Sequence, residues 1–157
     1  MRRACAGDPI SGGVAIFPVL GQLIGALDGA RAGHGRVVLL SGGAGIGKTR
    51  TAEELAREAR ARGVPVYTTW CEEGGGAPAY WPFVRLLRDI AETSDTALPG
   101  PLARIGSDAG TDGSAAGGPA RDLGEARFRL FDAAASFLRR AAAARGLVAI
   151  VDDLQWA

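Results

Sequence analysis

Arg36-Val-Val-Leu-Leu-Ser-Gly-Gly-Ala-Gly-Ile-Gly-Lys-Thr-Arg50 is the stretch on which the fold of this chain turns. It opens on an apolar run, Val37 to Leu40, which reads as a short strand buried on both faces. Gly42-Gly43-Ala44-Gly45-Ile46-Gly47-Lys48-Thr49 then fits the phosphate-loop pattern at every fixed position, and helical spacing follows at once. The chemistry explains the residue types. Glycines let consecutive backbone N–H groups curl around a phosphate, and the helix beginning near Lys48 points its positive end at the same anion. Lys48 can reach the β- and γ-phosphates, which also gives it a catalytic role, and the Thr49 hydroxyl can ligate Mg²⁺. Gly42, Gly43, Ala44, Gly45, Ile46, Gly47, Lys48, Thr49 and Arg50 are therefore the candidate nucleotide-binding residues. The alternative is a glycine-rich turn with a lysine there by chance. Against it, Lys48 is the only lysine among 18 lysines and arginines. A chain that otherwise uses arginine has kept lysine where a phosphate needs a point charge.

Composition bounds the rest. With 157 residues there is room for one ordinary domain, and a 47% hydrophobic fraction suits a globular fold. A net charge of +1 gives no whole-chain signal for nucleic acid or a membrane surface. Cys5 and Cys71 lie far apart and His34 is the only histidine, so neither a disulfide framework nor a zinc site is expected. Reduced thiols point to the cytoplasm. No apolar run approaches the roughly 18–20 residues of a membrane helix. Arg2-Arg3 is followed by Asp8 and Pro9 where an export signal would carry its apolar core.

In chain order, residues 1–17 lack sustained periodicity and read as a loose arm. Pro18 suits the first turn of a helix whose Leu20, Leu23, Ile24 and Leu27 share one face. After the phosphate loop, residues 48–62 form a helix with Ala52, Leu55, Ala56 and Ala59 buried, and Glu53–Arg57 and Glu58–Arg62 as i,i+4 pairs. Val64 to Trp70 reads as a second strand, which makes a βαβ-type start and a parallel sheet. Cys71 to Tyr80 is a loop. Trp81 to Ala91 returns to helical spacing through Val84, Leu87 and Ile90, with Phe83 and Leu86 widening the stripe. Residues 92–121 are rich in Gly, Ser, Ala, Asp and Pro and read as a flexible insertion. Asp122 and Glu125 suggest a capping box, and Leu130, Phe131, Ala134, Phe137, Leu138 and Ala141 mark a buried helical face.

A second chemical signal closes the chain: Leu147-Val-Ala-Ile-Val-Asp-Asp-Leu-Gln-Trp156. An apolar run ending in two carboxylates describes a strand with acid at its C-terminal tip. In an α/β sheet that tip faces the ligand crevice. A plain strand-end turn is the alternative, which the complete phosphate loop upstream disfavours. The expectation is that Asp152 holds Mg²⁺ and Asp153 activates the attacking water.

Gly42 to Arg50, Cys71-Glu-Glu-Gly-Gly-Gly-Ala-Pro-Ala-Tyr-Trp-Pro82, Arg127-Phe-Arg-Leu-Phe-Asp132 and Val151-Asp-Asp-Leu-Gln-Trp-Ala157 occur in that order. Together they resemble the AAA/STAND-type ATPase module of large bacterial LuxR-family transcriptional regulators and of related ATPases joined to cyclase or kinase domains. The resemblance covers roughly residues 19–157. It implies a P-loop NTPase three-layer sandwich with a parallel sheet in the strand order 5-1-4-3-2. The fourth strand would come after Ala157, so residues 18–157 are expected to be the N-terminal part of the domain, with later strands missing. ATP and Mg²⁺ are the implied cofactors, and ATP binding with slow hydrolysis the implied activity. DNA would be reached only through an output domain absent from this chain, and self-association on ATP binding is a further implied property. The family's Gly-Arg-Glu motif ahead of the first helix is replaced here by Val14-Ala-Ile-Phe-Pro18, so its mode of base recognition does not carry over.

Three other readings are weighed beside this one. A small-molecule or nucleotide kinase shares the phosphate loop, but the chain lacks a lid-like arginine cluster, and transfer to an acceptor would distinguish it. A DNA-binding regulator in its own right conflicts with the near-neutral charge; retention on DNA at moderate salt would restore it. The last is an inactive truncated reading frame.

Overall fold

A computed structural model gives the fold, describing residues 2–5, 16–73, 80–94, 96–104 and 120–156. Its elements in order are β1 (Arg2–Cys5), α1 (Ile16–Arg31), β2 (Val38–Ser41), α2 (Lys48–Ala61), β3 (Val66–Trp70), α3 (Trp81–Thr93), α4 (Gly100–Arg104), α5 (Ala120–Ala142) and β4 (Val148–Asp152), followed by a 3₁₀ turn at Leu154–Trp156. β1 pairs with β2 in parallel, from Arg2 opposite Val38 to Cys5 opposite Ser41. β3 pairs with β4. Val148 N–H donates to Pro65 O at 2.9 Å and Cys71 N–H donates to Asp152 O at 3.1 Å, so this pair also runs parallel. The fold is therefore α/β with parallel pairing, as the alternation of strand and helix signals predicts.

The chain divides into two compact units, Met1–Val66 with Arg145–Ile150 and Tyr67–Ala144 with Val151–Ala157. The core of the first is small. Leu27 of α1, Ala59 of α2 and Val64 are buried together, with Leu55, Val66 and Val148 against them. The methyl group of Ala59, fully buried, permits close approach there. Arg62 joins α1 to α2, donating to Glu58 at 2.9 Å and to Asp28 at 2.6 Å. These carboxylates, Glu58 first, raise the guanidinium's pKa further.

The second unit is built on larger side chains. Leu86, Leu87 and Ile90 of α3, Leu102 of α4 and Phe137 of α5 form one buried cluster. Ile90 and Phe137 expose no surface, and each contributes about 1.5–3 kcal/mol by leaving water.

Several expectations are corrected. The loose arm 1–17 contains β1, because the edge of β2 offers unpaired backbone groups to a passing extended segment. β2 is half-buried rather than buried on both faces, and Val37 lies outside it, 71% exposed. Within the supposed flexible insertion, α3 continues to Thr93, and Leu98 and Leu102 pack into the second core. Residues 95 and 105–119 of that insertion lie outside the described residues. α5 begins at Ala120, so Asp122 falls inside the helix instead of capping it, and Glu125 pairs with Arg129. Arg57 pairs with Glu54 at i,i+3 rather than with Glu53. Phe83 and Phe131, placed on buried stripes by their spacing, are exposed.

Candidate functional site

In the first unit β2 delivers the chain to the phosphate loop and α2 receives it. Gly45 and Gly47 take left-handed backbone angles, φ 74° and 92°, which a side chain would strain. A Cβ added at Gly43 or Gly45 would meet no atom within 4 Å. The space beside the backbone is thus open at both glycines. Gly47 is also the N-cap of α2, so the helix's unpaired N–H groups begin at the loop. Lys48 Nζ donates to Gly42 O at 3.0 Å and Gly43 O at 2.9 Å, which holds the ammonium over the start of the loop. Thr51, buried, ties the other end: its Oγ1 donates to Gly47 O at 2.8 Å and its N–H to the same oxygen at 2.9 Å. Thr49 is exposed in the first turn of α2.

In the second unit Asp152 is the last residue of β4, and Asp153 follows with a left-handed φ of 56°. Asp153 N–H donates to Asp152 Oδ1 at 2.9 Å. Gln155 Nε2 donates to Asp153 Oδ1 at 3.0 Å, and Trp156 N–H donates to Asp153 O at 3.0 Å. The tip of β4 is therefore a tight turn that presents two adjacent carboxylates. Elsewhere in the same unit, Arg85 lies 4.8 Å over the Trp70 ring. Tyr80, also left-handed at φ 64°, meets Phe131 edge-on at 6.0 Å.

The structure thus gathers Gly42, Gly43, Gly45, Gly47 and Lys48 into one loop and Asp152 with Asp153 into one turn, each group within its own unit. Thr51 and Gln155 escaped the sequence reading. Thr51 carried a signal, a hydroxyl four residues after the loop's last glycine, the spacing of a back-bond to a helix carbonyl. Among the described residues no three His, Cys, Asp or Glu side chains cluster as a metal site. Thr49 in the first unit, and Asp152 and Asp153 in the second, each carry hard oxygen donors of the type magnesium takes.

An AAA ATPase domain family model matches residues 18–157. The chain belongs to the AAA ATPase domain family. No curated protein and no solved structure matches it. The phosphate loop and the acidic turn after β4 both lie within the matched stretch of this AAA ATPase domain. Among the described residues no helix of the domain is long and apolar enough to cross a membrane.

Proposed function

We propose that this AAA ATPase domain is the ATP-binding switch of a STAND-type regulator of the LuxR family, with slow hydrolysis resetting it. The observation that carries the reading is the loop itself: two left-handed glycines, a helix N-terminus and an ammonium held by Gly42 and Gly43. The triphosphate lies along Gly42–Thr49, with backbone N–H groups and Lys48 taking its negative charge. Arg50 stands beside them in the first turn of α2. Thr49 of the first unit and Asp152 of the second each carry an oxygen that would suit magnesium, which would offset phosphate charge when bound. Asp153 orients the attacking water and accepts its proton as the new oxygen–phosphorus bond forms. The bond to the bridging oxygen breaks, ADP leaves with that electron pair, and the proton passes on to solvent. In this reading the protein works in the cytoplasm, supported by the free thiol of Cys71. It reaches DNA only through an output domain on another stretch of polypeptide, and ATP binding promotes self-association.

Calorimetric titration with ATP and Mg²⁺ tests the reading. Lys48→Ala removes a charge-assisted contact to the phosphates and should weaken binding by at least about 1.5–3 kcal/mol. Unchanged affinity in that variant would take Lys48, and the loop with it, out of the site.

A further inference from the structure

We infer that Gln155 is a positioning residue, which fixes the Asp153 carboxylate for proton transfer; this rests on the reading of Asp153 as the water-activating acid. Three observations support it. The backbone of Asp153 is held on both sides without help from the Gln155 side chain. Its N–H donates to Asp152 Oδ1 and its C=O accepts from Trp156 N–H. The turn is thereby closed, and only the side-chain torsions of Asp153 remain to be set. Gln155 Nε2 sets them, donating to Oδ1 at 3.0 Å.

The second observation concerns chemistry. An ionised carboxylate only accepts hydrogen bonds, so the amide must face it with nitrogen rather than oxygen. That occupies Oδ1 and leaves the proton of a bound water to Oδ2. One oxygen anchors while the other reacts.

The third is conformational. Asp153 and Tyr80 are the only non-glycine residues with positive φ among the described residues. A left-handed aspartate is strained relative to glycine, and such strain persists where the side chain has a task. Gln155 is itself exposed, so it adds nothing to a core. Within the turn its amide donates to that carboxylate.

The test uses the full chain with Gln155→Leu, which keeps the side-chain size, and Gln155→Glu, which replaces the donor with a repelling carboxylate. ATP affinity and the thermal midpoint should match the parent in both. Gln155→Leu should lower kcat roughly tenfold with KM within about twofold, and Gln155→Glu should lower it further. In an Asp153→Asn background neither change should lower kcat again, because the group being positioned is gone. Parental turnover in Gln155→Leu, an undiminished further loss in the Asp153→Asn background, or a loss of affinity matched by a lower melting point would each overturn the assignment. A parent protein that binds ATP without turning it over overturns it too, while leaving nucleotide binding intact. Failure of the parent to bind ATP at all instead removes the reading beneath it.

Discussion

Both units put left-handed backbone at the chemically important turn, but they do so with different residues. The phosphate loop uses Gly45 and Gly47, where φ is 74° and 92°. The second unit uses Asp153, at 56°. The difference follows from what each turn must offer. A loop that binds anions through its N–H groups gains nothing from side chains, and glycine adopts the geometry without steric cost. A turn that presents a carboxylate needs the side chain, so the left-handed strain of about 1–2 kcal/mol stays. The cores contrast as well. The first is closed around Ala59, whereas the second depends on Ile90 and Phe137.

The largest effect that would separate the units is Phe137→Ala, which should cost about 3–5 kcal/mol. Trp70, Trp81 and Trp156, all the tryptophans of the chain, belong to the second unit. A urea titration followed by tryptophan emission therefore reports on that unit, and an unmoved midpoint would show Phe137 to be no part of its core. Next comes Gly47→Ala. With φ at 92° the added Cβ should cost about 1–2 kcal/mol and weaken ATP binding together with it. A melt monitored by circular dichroism and a nucleotide titration check both. The smallest is Asp153→Gly, where relief of strain and the extra flexibility of glycine nearly cancel, leaving stability within about 1 kcal/mol. Turnover should nevertheless fall steeply, as in Asp153→Asn. If Asp153→Gly destabilised as strongly as Gly47→Ala, the contrast between the two turns would be lost.

The phosphate loop was legible because each residue type there answers to a local demand: φ at Gly45 and Gly47, charge at Lys48, a hydroxyl at Thr49. β4 was legible as a strand with its terminus, since an apolar run ending in Asp152-Asp153 describes both, but it is half-buried, with Ala149 exposed, rather than the buried strand such a run suggests. β1 was not. Its four residues, Arg2–Cys5, show no pattern of their own, and a strand so short is defined by the edge it joins. Helical spacing correctly found Leu87, Ile90 and Phe137, but it gives the centre of a buried face and not its width. Phe83 and Phe131 fall at that margin and stay exposed. Leu98 and Leu102 were hidden by the glycine and proline around them, although two leucines are enough to seat a short helix on a core already formed. Gln155 was illegible because its hydrogen bond to Asp153 depends on a backbone angle that the residue type does not favour.

Lys48, the sole lysine of the chain, is also its only side-chain amine. Enzymes that modify lysine meet a single address in this sequence, and acylating reagents and amine-directed cross-linkers meet only one side chain, which lies on the phosphate loop. In the proposed reading a molecule modified at Lys48 is blocked for nucleotide, and peptide mapping of the Lys48 adduct reads out how many molecules stand undefended by ligand. Attaching this protein to a surface through lysine would, for the same reason, silence what was attached.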